Sequence, residues 1–395
     1  MFKLLNKIPS TIKAIGAISF LLNMSTLMVY SIFGLYLHNN LGISFKKIGF
    51  LDGAIEGFSF VIKIFSGIFS DIMMNRKLFI AVGAFFLFIA KPIEATAISY
   101  WNLFSAKIME RLGNGLQATP RDAIVGDWAP PNLKGASFGM RQTLAALGSV
   151  VGSVIAFILF KKTNENFQLI FWLASIPSLF AVLCIVFFVK DRKKEITEKN
   201  INTKKFSIKD VKSLGKKYWI TQIVASVYML AKVTESIIII HIVDKMGLPI
   251  HYGPICMIFY QIANSFISFP AGIISDRVKN RDSLIIVGII MFIASDLIFI
   301  YGNSMPIMAI GLILLGGYVG ISQSIFQAKI IDIVPPHLKG TGLGIFNFIC
   351  AISLIIGGYA SGYISDVFST SAACSLSASI ATISLVITYF SKKLA

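Results

Sequence analysis

The chain has 395 residues, of which 55% are hydrophobic and only 14% are charged, and its formal net charge is +17. Soluble domains carry roughly 25% charged residues, so this composition excludes an ordinary soluble protein. A large part of the basic excess lies in one loop between apolar segments, which argues against a nucleic-acid-binding surface and is typical of a membrane protein with basic cytoplasmic loops.

Apolar blocks of about 20 residues run along the chain, each long enough to cross a hydrocarbon core of roughly 30 Å as a helix. Helices are expected because a single strand in lipid leaves its backbone groups without hydrogen bonds. The sequence therefore predicts an all-α membrane protein with twelve transmembrane helices in two six-helix bundles. The predicted spans are 12–37, 45–70, 78–97, 102–126, 136–160, 168–189, 218–243, 251–275, 284–302, 305–331, 341–364 and 370–391.

A basic linker divides the chain into an N-terminal bundle (1–189) and a C-terminal bundle (218–395). The linker, 190–217, holds eleven Lys or Arg residues against four acids. The run 12–37 is too long for the apolar core of a signal peptide and lacks a small-residue cleavage site, so we interpret it as the first span. The four cysteines and four histidines show no metal-ligand or disulfide spacing, and we expect neither a cofactor nor a metal.

Two short phrases recur at one offset. DWAPPNLKG at 127–135 returns as DIVPPHLKG at 332–340, and SGIFSDIMMNR at 66–76 returns as AGIISDRVKNR at 271–281. Both pairs are 205 residues apart, which indicates a duplicated half-protein rather than two similar loops.

Basic residues predict the orientation in the membrane. The loops between odd and even spans hold five of them, Lys46, Lys47, Lys161, Lys162 and Lys245, whereas the termini, the linker and the other loops hold most of the rest. The positive-inside rule then places both termini, and all four repeated phrases, on the cytoplasmic side of a multi-pass inner-membrane protein.

The repeated loops also carry a family resemblance. The pattern G-x-x-x-D-x-x-x-x-R follows span 2 as Gly67, Asp71 and Arg76. It is repeated after span 8 as Gly272, Asp276 and Arg281. With twelve spans in two halves, this pattern resembles the major facilitator superfamily, although Ile72 and Met74 replace the basic residue and glycine usual there. The resemblance implies that Asp71 and Asp276 help to latch a cytoplasmic gate.

Two further segments resemble family motifs. Arg111-Leu-Gly-Asn-Gly resembles the span-4 motif found in many proton-coupled members. Gly148-x-x-x-Gly152 resembles part of the antiporter motif of span 5, but its expected proline is Ser153, which weakens an exporter assignment. The candidate gate residues on the cytoplasmic side are Asp71, Arg76, Arg121, Asp122, Asp127, Arg141, Asp276, Arg281 and Asp332.

Ionisable residues within spans are costly and are candidates for function. In spans 2 and 4 they recur at helical spacing on one face, which indicates a face that meets protein or water. The candidate substrate-binding residues are Asn23, Tyr30, Arg111, Lys232, Glu235 and Gln323. The candidate proton-coupling residues are Asp52, Glu56 and Glu110, because burial favours a protonated carboxyl and a neighbouring Arg favours the carboxylate.

Other charges have simpler interpretations. Lys91 and Glu94 are expected to form an exposed or snorkelling pair near the outer end of span 3. Arg141 is expected to pair with Asp127 or Asp71. Lys329 is expected to snorkel, and Asp296 to face the bundle alone.

These features predict a secondary active transporter that moves a small organic, anionic or zwitterionic solute by alternating access, coupled to protons. The alternatives are an uncoupled facilitator and a drug- or siderophore-type exporter. A membrane enzyme is disfavoured because the chain lacks G-x-S-x-G, H-E-x-x-H and a His–acid cluster, and a channel because charge fills the midplane. The expected partners are a small-molecule substrate, protons and the bilayer, without nucleic acid, and we expect a monomer.

Overall fold

The computed structural model describes residues 9–72, 75–130, 133–189, 214–278, 281–335 and 338–393, and these ranges are helical with no strand among them. The N-terminal half contains α1 (Ser10–Leu35, continued by a π-helical turn over Tyr36–Asn40), α2 (Phe45–Ile72), α3 (Arg76–Thr96), α4 (Tyr100–Trp128), α5 (Lys134–Lys162) and α6 (Phe167–Phe188). The C-terminal half contains α7a (Gly215–Ala231), α7b (Glu235–Lys245), α8 (Gly253–Arg277), α9 (Asp282–Tyr301), α10 (Met305–Ile333), α11 (Lys339–Val367) and α12 (Thr370–Lys393).

Each predicted span coincides with a helix, which confirms the all-α membrane fold. Within the described ranges, ten helical segments are long and apolar enough to cross a membrane by length and composition. The two that fall short are α2 and α4, the helices that carry the charged stripes. Their charge is compatible with a bilayer only because it faces the interior of the bundle.

The seventh span is interrupted, whereas the sequence predicts one continuous helix over 218–243. Lys232 ends α7a with ψ 118°, and Thr234 precedes α7b with ψ 149°, so the backbone between them is extended. Neither Pro nor Gly lies in this stretch, and the periodicity therefore gave no signal. The break places Glu235 in the first turn of α7b, where the helix dipole favours a carboxylate.

The two halves touch most closely where α2 crosses α11. A methyl group on Gly49 would lie 2.0 Å from the Gly358 carbonyl oxygen, and one on Gly53 would lie 2.4 Å from the Leu354 carbonyl oxygen. Only glycine permits this approach. We call this contact between 49–57 of α2 and 351–358 of α11 the seal.

The seal lies on the side of the bundle away from the chain termini, which we call the opposite side. There Asp366 accepts hydrogen bonds from the backbone N–H groups of Phe45 and Lys46, each 2.8 Å long. His251 lies 3.1 Å from Glu165 across the same boundary. The halves are therefore held together on the opposite side, and the other side, where α1 begins and α12 ends, is called the terminal side.

The repeated phrases meet within each half. Arg76 is bonded to Asp127, and Arg281 Nε lies 2.8 Å from Asp332 Oδ2. These residues are related by the 205-residue shift, so the duplication has preserved a link between the loop after the second helix and the end of the fourth.

Three other charges differ from their sequence-based expectations. Arg141 Nε lies 3.1 Å from Asp122 Oδ1, so the prediction that Arg141 pairs with Asp127 is wrong. Lys329 does not snorkel but is bonded to Asp282. Asp296 is not alone, because the Ser377 hydroxyl donates to its carboxylate at 2.5 Å. In each case the partner comes from another helix, which spacing along one helix does not reveal.

Candidate functional site

A cavity of about 230 Å³ lies between the two halves. Its wall is formed by helices of both halves, and apolar side chains such as Leu87 and Leu354 contribute less of it than polar ones. The polar lining consists of Asn23, Thr26, Tyr30, Glu56, Arg111, Asn114, Gln117, Arg121, Lys232, Glu235, Tyr260, Gln261, Asn264, Tyr318 and Ser322. Such a polar chamber inside an apolar bundle is suited to a hydrophilic solute.

The structure brings five of the six candidate substrate-binding residues to this cavity: Asn23, Tyr30, Arg111, Lys232 and Glu235. The side chain of Gln323 lies outside the described residues. The candidate coupling residue Glu56 and the candidate gate residue Arg121 also line the cavity.

Lys232 sits at the centre of a charge cluster that joins the halves. Its Nζ lies 3.2 Å from Glu56 Oε2 on α2 and 2.9 Å from Glu235 Oε1 in its own span. The Tyr260 hydroxyl donates to the same Glu235 oxygen at 2.9 Å. The break in span 7 makes this geometry possible, because it lets Lys232 leave the helical path and point towards α2.

Two arginines of α4 present positive charge to the cavity. Arg111 and Arg121 follow one face of the helix, with Asn114 and Gln117 between them. The Arg111 guanidinium lies 5.8 Å from the centre of the Tyr30 ring. Among the described side chains neither arginine has a carboxylate within ion-pairing distance, and the Nε atoms of both are buried without a hydrogen-bond partner.

Asp52 lies one helical turn from Glu56, towards the opposite side. Its side chain is 2% exposed, and neither carboxylate oxygen has a hydrogen-bond partner among the described residues. The hydroxyls of Thr234 and Ser236 lie beside it, but without hydrogen-bonding geometry. A second cavity of about 10 Å³ lies between Asp52, Glu56, Lys232 and Glu235.

Glu110, the third candidate coupling residue, lies in a closed ring of four charges between α3 and α4. Lys91 Nζ is 3.3 Å from Glu94 and 2.7 Å from Glu110, and Lys107 Nζ is 3.0 Å from Glu94 and 2.8 Å from Glu110. All four side chains are at most 2% exposed, so the expectation of an exposed Lys91–Glu94 pair is wrong. The ring does not border the cavity.

Six of the nine candidate gate residues form pairs at the terminal side, each pair within one half. Arg76 with Asp127, Arg281 with Asp332, and Arg141 with Asp122 are the three pairs among the described side chains. The side chains of Asp71 and Asp276 lie outside the described residues. The described gate contacts stabilise the turns of each half, and the cavity lining continues towards them as far as Arg121.

On α8 and α10 the sequence-based candidates include Gln323 but not the neutral residues that line the cavity. Tyr260, Asn264 and Tyr318 line the cavity there, beside Gln261. One signal was available, because Gln261 is the position onto which the 205-residue shift places Glu56. Tyr260, Asn264 and Tyr318 are uncharged, so a criterion based on charge within the membrane does not identify them.

The chain is similar to known proteins over nearly its whole length. The family model described as Major Facilitator Superfamily matches residues 15–353 and 223–394. An uncharacterized MFS-type transporter of Methanocaldococcus jannaschii is 26% identical over 362 residues, which cover 89% of this chain and 87% of that protein.

Solved structures share the fold at low sequence identity. A mutant form of the nucleoside transporter NupG superposes with a TM-score of 0.78 at 14% identity, covering 96% of this chain and 98% of that one. A POT family transporter in complex with a thioalcohol-conjugated peptide gives a TM-score of 0.74 at 15% identity, covering 99% and 100%. At these identities the likeness concerns the fold alone.

Proposed function

This chain belongs to the major facilitator superfamily of membrane transporters, and we propose that it moves a small organic anion or zwitterion by alternating access, coupled to protons. The observation that carries the proposal is the cavity between the halves, where Arg111 offers a guanidinium without a carboxylate partner among the described side chains. A buried cation without a partner is costly, so a substrate carboxylate or phosphate at Arg111 stabilises the loaded state.

The remaining walls suit the rest of such a solute. Tyr260, Gln261, Asn264 and Tyr318 supply neutral hydrogen-bonding groups from the C-terminal half. A substrate amine can approach Glu56, whose side chain is 32% exposed, whereas Glu235 is 6% exposed. A solute whose anionic group binds α4 and whose neutral or cationic group contacts the C-terminal half would bridge the two halves. Bridging matters because only a ligand held by both halves links its binding to their movement.

Proton coupling follows from the Lys232 cluster. Lys232 of the C-terminal half pairs with Glu56 of the N-terminal half, so separation of the halves at this point leaves Glu56 without its cation. A carboxylate deprived of a cation at membrane depth gains a proton more readily. We therefore assign Glu56, with Lys232 and Glu235, as the exchangeable charge set of the transport cycle.

Glu110 is proposed to have a structural role instead. Its two oxygens are bonded to Lys91 and Lys107 within a ring that does not border the cavity. A proton on Glu110 would break two buried ion pairs at once, which disfavours exchange during a cycle.

The orientation is proposed from the basic residues, which place the terminal side in the cytoplasm and the protein in the inner membrane. The seal then faces outwards, and the structure corresponds to an inward-facing state. The site lies within one chain, so a monomer is sufficient for transport.

The test is exchange of labelled solute in proteoliposomes. Vesicles preloaded with unlabelled candidate acids or amino acids are diluted into a trace of the same labelled compound, while a lumenal dye reports pH. The proposal predicts counterflow for at least one anionic or zwitterionic solute and for no neutral sugar of the same size, with a lumenal pH change during net uptake.

Arg111→Gln is the matching variant, with Lys161→Gln as its control. Lys161 is an exposed residue on the opposite side, and its replacement removes the same charge without touching the cavity. Loss of a charge-assisted hydrogen bond costs about 1.5–3 kcal/mol, so Arg111→Gln is expected to raise the half-saturation concentration of the solute by roughly 10- to 150-fold. Equal affinity in both variants, or counterflow of neutral solutes alone, would refute the anion assignment.

A further inference from the structure

Asp52 lies where the charge cluster meets the seal. It adjoins Gly53, whose Cα faces the Leu354 backbone across the boundary between the halves. Thr234 and Ser236 of span 7 lie on its other side. Asp52 is therefore enclosed by both halves in the sealed arrangement, and it can meet bulk water on the opposite side only if the halves move apart.

The surroundings of Asp52 do not neutralise a carboxylate there. The charged or titratable groups that face it are Glu56 on its own helix, Tyr30 on α1, Tyr100 and Arg111 on α4, and Lys232 and Glu235 in span 7. Lys232 is already bonded to Glu56 and Glu235, and no ion pair to Asp52 exists among the described side chains. A buried ionised carboxylate without a hydrogen bond or a counterion is among the most costly groups in a protein.

The small cavity beside Asp52 connects it with the cluster. Its volume of about 10 Å³ is near the minimum for a single water molecule. Glu56, Lys232 and Glu235 border both this cavity and the central one, so they separate Asp52 from the substrate chamber. The space is too small, and the Lys232 ammonium too close, for a hydrated metal cation with its oxygen ligands.

We propose that Asp52 binds a proton as the condition for closing the seal, and releases that proton to water on the opposite side when the halves part there. The proton on the Asp52 carboxyl removes the charge that the closed seal cannot accommodate. Release breaks the O–H bond of the carboxylic acid and passes the proton to water, leaving a hydrated carboxylate. The inference rests on the proposed alternating access, but it concerns a proton site at the seal rather than the substrate.

The sign of the pH effect follows directly. At Asp52 the sealed state holds one proton more than the opened state. Opening also separates Glu56 from Lys232 and lets Glu56 take up a proton. The effect of Asp52 is therefore isolated in a Glu56→Gln background, where raising the pH favours opening on the opposite side and lowering the pH favours closure. For a single proton, the ratio of opened to sealed protein changes by at most about tenfold for each pH unit.

The experiment measures seal opening by thiol labelling and needs no substrate. Ile237→Cys is placed in a parent background that carries Glu56→Gln and in which the four native cysteines are replaced by serine, and this protein is reconstituted in vesicles. Ile237 is fully buried and packs beside Gly49 at the seal. The rate at which Ile237→Cys reacts with a membrane-impermeant maleimide is divided by the rate for Lys161→Cys, an exposed position on the same side. This ratio cancels the intrinsic pH dependence of thiol reactivity.

We expect the normalised reactivity to rise by up to about tenfold for each pH unit in the parent background. With Asp52→Asn, which imitates the protonated acid, it should stay low and flat. Asp296→Asn is the matched control, because Asp296 is equally buried but bonded to Ser377 away from the seal, and it should keep the pH dependence.

A flat parent profile, or a pH dependence that survives Asp52→Asn, would overturn the proposal. Failure of the proposed function has a separate signature, the absence of solute counterflow in the parent protein. Should Asp52→Asn not fold, the infrared carbonyl band of a protonated carboxylic acid provides the second measurement in the parent. That band is expected to weaken when Gly53→Leu forces the seal apart, and an unchanged band would equally overturn the proposal.

Discussion

Lys232 reaches across the boundary between the halves to Glu56, and the 3.2 Å contact joins their Nζ and Oε2 atoms. The same ammonium holds Glu235 at 2.9 Å, so one cation serves a carboxylate from each half. In the proposed alternating-access cycle the two halves move relative to one another, and this ion pair would then break and re-form during the cycle.

The pairing predicts coupled effects of two substitutions. Glu56→Gln and Lys232→Gln in one chain should be less destabilising than the sum of the single changes, by about 0.5–3 kcal/mol, because residues in contact are not additive. The measurement is thermal unfolding of the purified single and double variants. Glu165→Gln combined with Lys232→Gln is the control, since Glu165 contacts His251, and this pair should be additive. Equal coupling in the two pairs would contradict the assigned contact.

The buried ring predicts a large loss of stability from a single charge. Glu110→Gln leaves Lys91 and Lys107 with one carboxylate between them and should cost about 3–5 kcal/mol of unfolding free energy. Lys107→Met together with Glu110→Gln keeps the Lys91–Glu94 pair and should recover much of that loss. The comparison uses melting temperatures of both variants in the same lipid. A mild effect of the single change, together with lost proton movement, would instead return Glu110 to a coupling role.

The seal predicts that a single methyl group opens the opposite side. At Gly49 the added carbon would lie 2.0 Å from a backbone oxygen of α11, and overpacking of this kind typically costs about 1–3 kcal/mol. Gly49→Ala should therefore raise the labelling of Ile237→Cys by roughly 5- to 150-fold. Gly126→Ala is the control, since its methyl group would meet only Phe138, at 3.9 Å. Unchanged labelling in Gly49→Ala would show that this crossing does not limit opening.

The duplicated links predict unequal effects in the two halves. Arg76 and Asp127 are each 16% exposed, whereas Asp332, the partner of Arg281, is 56% exposed. Exposed pairs contribute about 0–1 kcal/mol, so Arg281→Gln should lower stability less than Arg76→Gln. Melting temperatures of these two matched variants decide the point. A larger loss of stability in Arg281→Gln than in Arg76→Gln would contradict this prediction.

Much of the fold follows from hydropathy and the 205-residue repeat, because lipid restricts the chain to helices and duplication fixes their grouping. The cavity residues on α4 and span 7 also follow, since charge at membrane depth must face the interior. These inferences need only the spacing of residues along one helix.

The rest depends on contacts between helices. The break at Lys232 contains no Pro or Gly, and the contact that it permits, between the Lys232 ammonium and Glu56, joins two helices from different halves. From the sequence, Lys91 and Glu94 look like a pair within one helix. The structure shows that each also pairs with a residue of α4, Lys91 with Glu110 and Glu94 with Lys107. The closeness of Gly49 to α11 is likewise a property of two helices from different halves.

The central claim is that solute movement and proton movement are linked through Glu56. The most direct measurement records lumenal pH and labelled solute together in proteoliposomes, for the parent protein and Glu56→Gln, with Asp244→Asn, which changes an exposed carboxylate on the opposite side, as the control. We expect a lumenal pH change to accompany uptake in the parent and the control, and to be lost in Glu56→Gln while solute exchange persists. Solute uptake without proton movement in the parent, or an identical pH change in Glu56→Gln, would contradict it.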